Sequence, residues 1–166
     1  MEIREPKTAK EFEDYYHLRW EILRKPWAQP VGSEKDLIED RCIHAMAVDA
    51  TQNVLAVCRL QFNDPKTAQI RYMAVAENLQ GKGLGSKILI FLEDIAKDRG
   101  AHKIVLDARE NAASFYRKNG YRITEKGYLL YKSIQHWKME KNFWPLFVID
   151  HHRRFPITHN DYFGIW

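Results

Sequence analysis

Between a run that alternates like a strand and a run that repeats like a helix stands Gln80-Gly81-Lys82-Gly83-Leu84-Gly85. Its glycines carry no side chain, so the backbone N–H groups there approach a ligand closely. A loop that opens a helix aims several N–H groups and the positive end of the helix dipole at one point, which is an anion site. A diphosphate fits such a site without a metal, and Lys82 adds charge at its rim. The spacing limits the fold. A dinucleotide-binding unit needs Gly-x-Gly-x-x-Gly after the first strand of a parallel βαβ unit, and a P-loop needs Gly-x-x-x-x-Gly-Lys-Ser/Thr. The chain offers Gly81-x-Gly83-x-Gly85 followed by Ser86-Lys87, which satisfies neither. On spacing alone, an ordinary glycine-rich strand–helix turn stays open.

The surrounding elements follow from periodicity. Thr8 and Glu11 form a capping box ahead of a helix over 9–23, whose apolar stripe includes Phe12, Tyr15 and Tyr16. Pro26 and Pro30 end it, and Ser33 caps a short second helix to about residue 40. Strands are expected over 43–49 and 54–62, joined as a hairpin by 50–53. A third spans 68–76, with Ile70, Tyr72 and Ala74 on one face and Met73 and Val75 on the other. After the glycine loop, Leu84, Ile88, Phe91, Leu92 and Ile95 mark a helix that Gly100 ends. A strand over 103–107, a helix over 111–119 and strands over 121–124 and 133–140 complete the order βααβββαβαββ. That order predicts one α/β sandwich around a mixed sheet.

At 166 residues the chain suits one domain. The domain is expected over 1–141. The aromatic-rich segment 142–166 is expected to pack on it or on a second subunit of a homodimer. No apolar run approaches the roughly 20 residues that span a bilayer, and the N-terminus lacks a signal-peptide core, so a cytoplasmic location is expected. Cys42 and Cys58 form no metal or disulfide framework. The adjacent His151 and His152 lack companion ligands, so no metal is expected. The net charge of +4 is spread along the chain and forms no basic stripe for nucleic acid.

Two stretches carry a resemblance to a known family. The run Arg71-Tyr72-Met73-Ala74-Val75 followed by Gln80-Gly81-Lys82-Gly83-Leu84-Gly85 resembles the acyl-CoA motif of the GNAT N-acyltransferase superfamily, Gln/Arg-x-x-Gly-x-Gly/Ala. Asn111-Ala112-Ala113-Ser114-Phe115-Tyr116-Arg117-Lys118-Asn119-Gly120-Tyr121 resembles that family's second signature, a short helix ending in Gly-Phe/Tyr. The resemblance runs from about Ile3 to Lys141. It implies a mostly antiparallel mixed sheet whose fourth and fifth strands are splayed by a bulge, with helices on both faces. Acetyl-CoA would lie in the gap. Its pantetheine arm would run along Met73, Ala74 and Val75, and its pyrophosphate would sit on Gln80, Gly81, Lys82, Gly83, Leu84, Gly85 and Ser86. Asn111 matches a cofactor contact, though a helix N-cap role stays open for it. Tyr116 matches the tyrosine that protonates the departing thiolate.

The implied reaction is attack of a primary amine, on a small molecule or peptide, on the thioester carbonyl. It would pass through a tetrahedral intermediate whose oxyanion the N–H of Ala74 or Val75 stabilises. A phenol of pKa about 10 suits a thiol of pKa about 8.5. For the base, the sequence leaves His44, His136, Glu21, Asp107 and Glu110 open. The N-terminal run from Leu18 to Glu34 resembles GNAT domains fused to a hot-dog thioesterase-like domain and, more distantly, the ElaA-like branch. Since that region forms the acceptor pocket in the family, Arg19, Arg24 and Trp27 are candidate substrate contacts beside His44 and His136. Alternatives are an acyl-CoA-binding regulatory or interaction module, and acyl transfer involving an acyl carrier protein.

Overall fold

The computed structural model describes residues 1–143. The aromatic tail from Trp144, with His151 and His152, lies outside the described residues, as does the question of what it packs against. Helix α1 (Ala9–Leu23) starts at the capping box: Thr8 Oγ1 accepts from the Glu11 N–H, and a Glu11 carboxylate oxygen accepts from the Thr8 N–H, each at 3.2 Å. Strands β1 (Glu2–Arg4), β2 (Ile43–Val48), β3 (Val54–Asp64) and β4 (Thr67–Val75) follow in antiparallel pairs. Helix α2 (Leu84–Asp98), β5 (Lys103–Arg109), α3 (Ala113–Lys118), β6 (Arg122–Leu130) and β7 (Ile134–Asn142) complete the fold. The seven-stranded sheet has the order β1-β2-β3-β4-β5-β7-β6, and β4–β5 is its parallel pair.

The helix expected from Ser33 does not form. Residues 28–42 are mostly turns, with 3₁₀ turns at Lys25–Trp27 and Glu39–Arg41. The cause is competition for hydrogen bonds. An Asp36 carboxylate oxygen accepts from the Ile38 N–H at 3.1 Å, and Glu39 accepts from the Asp36 N–H at 3.1 Å. Both carboxylates are drawn to buried arginines of other elements. Arg59 on β3 reaches Asp36 at 2.8 Å and Glu39 at 2.7 Å, and Arg19 on α1 pairs with Glu39.

The sheet is covered unequally. On one face, α2 buries Leu84, Ile88, Leu89, Leu92 and Ala96 against β2–β5 and β7, and α3 adds Ala113 and Tyr116. On the other, α1 buries Tyr15 and Leu18 against Met46, Val48, Val57 and Ala74. The α1 side of β5 and β7 therefore keeps polar residues, because side chains alternate along a strand. Leu106 and Ala108 enter the α2 core, so Asp107 and Arg109 turn the opposite way.

Strand β4 breaks its own alternation. Arg59 on β3 faces Arg71 and Val57 faces Ala74, which leaves Tyr72 and Met73 against the single residue Cys58. This is a β-bulge, and Tyr72 adopts φ 55° within it. The extra residue reverses every later side chain. Tyr72 lies on the α1 side with Ala74, whereas Ile70 packs on the α2 side with Met73 and Val75. The expected common face for Ile70, Tyr72 and Ala74 is thus corrected by one inserted position. Beyond the bulge β4 leaves β5: the parallel pairing covers only Thr67, Ala68 and Gln69 opposite Lys103, Ile104 and Val105.

Candidate active site

The divergence of β4 from β5 opens a cleft of about 920 Å³ that passes from one face of the sheet to the other. On the α2 side its wall includes the glycine loop. Gly81 (φ 76°) and Gly83 (φ 80°) hold the left-handed conformation, and a side chain added at either would meet nothing within 4 Å. Gly83 caps α2 without any side-chain hydrogen bond, so the first N–H groups of this 15-residue helix remain available. Open space, convergent donors and the helix dipole fit a diphosphate. Gly85 has a different cause. Its added Cβ would stand 3.2 Å from the Phe115 ring, so glycine there lets α2 and α3 approach. Ser86 lines the cleft as well; Leu84 is buried in the core, and Lys82 is exposed outside the cleft lining.

The backbone of β4 forms the inner edge. The Ala76 N–H donates to the Leu55 carbonyl at 2.9 Å, and two residues earlier Ala74 stands opposite Val57. Ladder groups alternate, so the Ala74 N–H turns toward β3 and the Val75 N–H turns into the gap. On that side Gln80 Nε2 donates to the Val75 carbonyl at 3.1 Å. Met73 faces no β3 residue of its own and also lines the cleft.

Helix α3 brings Tyr116 to the same wall. The ring is buried against Phe115 and Tyr121, with centroids 5.0 and 5.7 Å away. Its hydroxyl lies 3.9 Å from the Met73 sulfur, a weak acceptor. Burial pushes this phenol well above its usual pKa, so it keeps its proton. Asn111 lies in the 3₁₀ turn Glu110–Ala112 and lines the cleft. The N-cap of α3 is Ala112, which removes the capping role left open for Asn111.

The α1 side of the cleft is charged. Arg24, Arg71, Asp107, Arg109, Tyr128 and His136 line it. His136 faces Arg109 across the β5–β7 pair and stacks on Tyr128 at 4.4 Å and 15°. Its Nδ1 lies 3.0 Å from the Ile134 carbonyl, and burial lowers its pKa, partly offset by hydrogen bonds to the backbone of Ile134 and Tyr128. Of the carboxylates left open as bases, Asp107 lines this cleft; Glu21 borders a separate hollow and Glu110 is exposed.

Three candidate contacts lie elsewhere. Arg19 is fully buried, donating to the Glu34 carbonyl and to Glu39, with the Tyr72 ring 3.9 Å from its guanidinium carbon. His44 is buried among Phe12, Tyr15 and Tyr16, its Nε2 2.8 Å from the Glu39 carbonyl. Trp27 lies 6.4 Å from the Tyr131 ring, outside the cleft lining. Conversely, the sequence reading passed over Arg109 and Tyr128. Arg109 carried a signal, since it continues the half-buried phase of Lys103, Val105 and Asp107 against the buried Ile104, Leu106 and Ala108.

Comparison with known proteins agrees with this geometry. The acetyltransferase (GNAT) family model matches residues 12–121. The chain is 29% identical over 136 residues to an uncharacterised N-acetyltransferase of Bacillus subtilis, YjcF, covering 82% of this chain and 96% of that one. It is 33% identical over 73 residues to glucosamine 6-phosphate N-acetyltransferase of Arabidopsis thaliana, covering 44% and 49% of the two chains. An aminoglycoside 6'-N-acetyltransferase complexed with coenzyme A superposes with a TM-score of 0.75 at 16% identity, over 88% of this chain and 99% of that one. Escherichia coli ElaA superposes at 0.71 and 17% identity, over 85% and 99%. These two likenesses establish the fold. The family model takes in the stretch that carries β4, the glycine loop, β5 and α3, and the chain accordingly belongs to the GNAT acetyltransferase family: it is an acyl-CoA-dependent N-acyltransferase with acetyl-CoA as its co-substrate.

Proposed function

We propose that the chain transfers the acetyl group directly to a primary amine of a small molecule or peptide. The observation that carries this reading is that one cleft joins Tyr116 on the α2 side of the sheet to Asp107 on the α1 side. Acetyl-CoA supplies an activated thioester. The N–H groups of residues 81–86 hold its diphosphate, with the Asn111 side chain beside it. The edge of β4 from Met73 to Val75 holds the pantetheine arm. The Val75 N–H donates to the carbonyl oxygen as negative charge gathers there, an effect of about 10²–10³ in rate for one such donor.

Tyr116 holds a proton on the side where the thiol departs. Asp107 faces the side from which the amine enters. An amine of pKa about 10 arrives protonated at neutral pH, so a carboxylate both attracts it and takes its proton. Direct transfer is favoured over an acyl-enzyme because neither cysteine lines the cleft. Cys58 is buried within the sheet, and burial pushes its thiol up to about 12.

The test is coenzyme A release across a panel of amino acids, polyamines, aminoglycosides and peptides, with the acetyl-CoA-induced rise in Tm measured alongside. One class of amine is expected to stand out. A rise in Tm without release for any amine would leave a binding module and sink the enzyme reading for these acceptors.

A further inference from the structure

Two arginines on the α1 side of the cleft lack the partner that a half-buried guanidinium calls for. Arg24 Nε donates to the Ser33 carbonyl at 3.0 Å and its Nη1 to the Leu23 carbonyl at 3.2 Å. Arg109 Nη2 donates to the same Leu23 carbonyl at 2.9 Å. Neither arginine pairs with a carboxylate among the described residues. The contrast with Arg19 and Arg59 is direct, since those side chains are buried and meet Glu39 and Asp36. A carbonyl dipole satisfies donors but leaves the charge uncompensated. Burial, and then the neighbouring Arg24, lower the pKa of Arg109 from its ordinary value. A guanidinium nonetheless stays charged near neutral pH. The fold therefore converges two like charges on one carbonyl at the wall of an open cleft.

The phosphates of coenzyme A do not account for them. The glycine loop lies on the α2 side of the sheet, whereas Arg109 reaches the last residue of α1. Asp107, two residues before Arg109 on the same face of β5, brings the opposite charge about 7 Å away along the strand. A ligand spanning that interval presents a cation at one end and an anion at the other.

We propose that the acceptor is a small amine that also carries an anion, a carboxylate or a phosphate, held by Arg24 and Arg109 while Asp107 faces the amine. The identity of this ligand as the acceptor rests on the acetyl-transfer reading; the anion pocket does not.

Two measurements test it. With coenzyme A saturating the glycine loop, inorganic phosphate and, separately, acetate are titrated against Tm, with chloride at equal ionic strength as the control. At least one of the two is expected to raise Tm in the wild type. The rise is lost in the Arg24→Gln/Arg109→Gln variant and partly kept in Arg109→Lys. In the second, kcat/KM is compared within matched pairs: an amino acid against its amide, and a phosphorylated amino sugar against the unphosphorylated one. One charged member is expected to be preferred by roughly tenfold or more, and Arg109→Gln cuts that preference by a similar factor. The pair that shows the preference identifies carboxylate or phosphate. An anion-dependent rise without coenzyme A release would retain the pocket and sink acetyl transfer. Neutral members turned over as fast as charged ones, or a rise undiminished in the double variant, would overturn the proposal.

Discussion

Tyr116 has a hydroxyl without a strong hydrogen-bond acceptor among the described residues. Among the described residues its hydrogen-bond partner is the Met73 thioether at 3.9 Å, while the ring is held by Phe115 and Tyr121. Removing the oxygen therefore leaves packing intact. Tyr116→Phe is expected to keep the Tm rise produced by acetyl-CoA and to lose about 10²-fold in turnover, the lower end for a positioned acid. Unchanged turnover would assign proton delivery to another group. Periodicity put this tyrosine on a helix because that helix is local, six residues bracketed by a turn and Gly120, while its role came from the family resemblance. Arg19 shows the opposite case. Its residue type and position suited a substrate contact, but its partners Glu34 and Glu39 lie 15 and 20 residues away. Such long-range pairing leaves no periodic mark in the chain.

The elements were legible to the extent that their causes were local. The capping box of α1 involves residues three apart, and its expected bounds of 9–23 are those of the helix. The bulge in β4 is set across strands, so alternation alone grouped Ile70 with Tyr72 and Ala74, from which the inserted residue separates it. The glycine loop joins the two levels, because its three glycines look alike in sequence and differ in the fold. Gly83 is left-handed with open space beyond it, while Gly85 is helical and crowded by Phe115. Gly83→Ala forces a left-handed alanine, which costs about 1–2 kcal/mol, and adds a methyl to the open space of the proposed diphosphate cradle. Its Tm is expected to fall and its affinity for acetyl-CoA to weaken together. Gly85→Ala presses on a partly buried ring that has room to turn, so its effect is expected in stability alone, at about 1 kcal/mol. Calorimetry with and without acetyl-CoA separates the two. Equal losses of affinity in both variants would mean that the glycines serve the cradle alike.

At the scale of the whole molecule, the irregular segment between α1 and β2 is tied down by charge rather than by an apolar core. Arg19 and Arg59 pair with Glu39 and Asp36 and lie over the ring of Tyr72, a residue of the bulge that opens the cleft. Such a network makes stability depend on pH in two windows. The Arg59 hydrogen bonds hold the Asp36 carboxyl well below its usual range. Its contribution is complete above the ordinary value of 3.8 and is lost as pH falls through the folded value beneath it. His44 and His136 act at higher pH. Burial lowers both below the ordinary value of 6.5, so the unfolded chain takes protons there that the fold refuses. Stability thus falls as pH drops below about 6.5, through the histidine window, and falls again in acid as Asp36 is protonated. Calorimetry between pH 8 and pH 2 is expected to give a declining Tm with these two components, and Asp36→Asn is expected to shrink the acid one, to which Glu11 and Asp49 also contribute, at a cost in Tm near neutral pH. A Tm that holds level from pH 7 to pH 5 would show that both imidazoles accept protons inside the fold. An acid dependence undiminished in Asp36→Asn would place it instead on Glu11 and Asp49, whose hydrogen bonds hold both carboxyls at about 2.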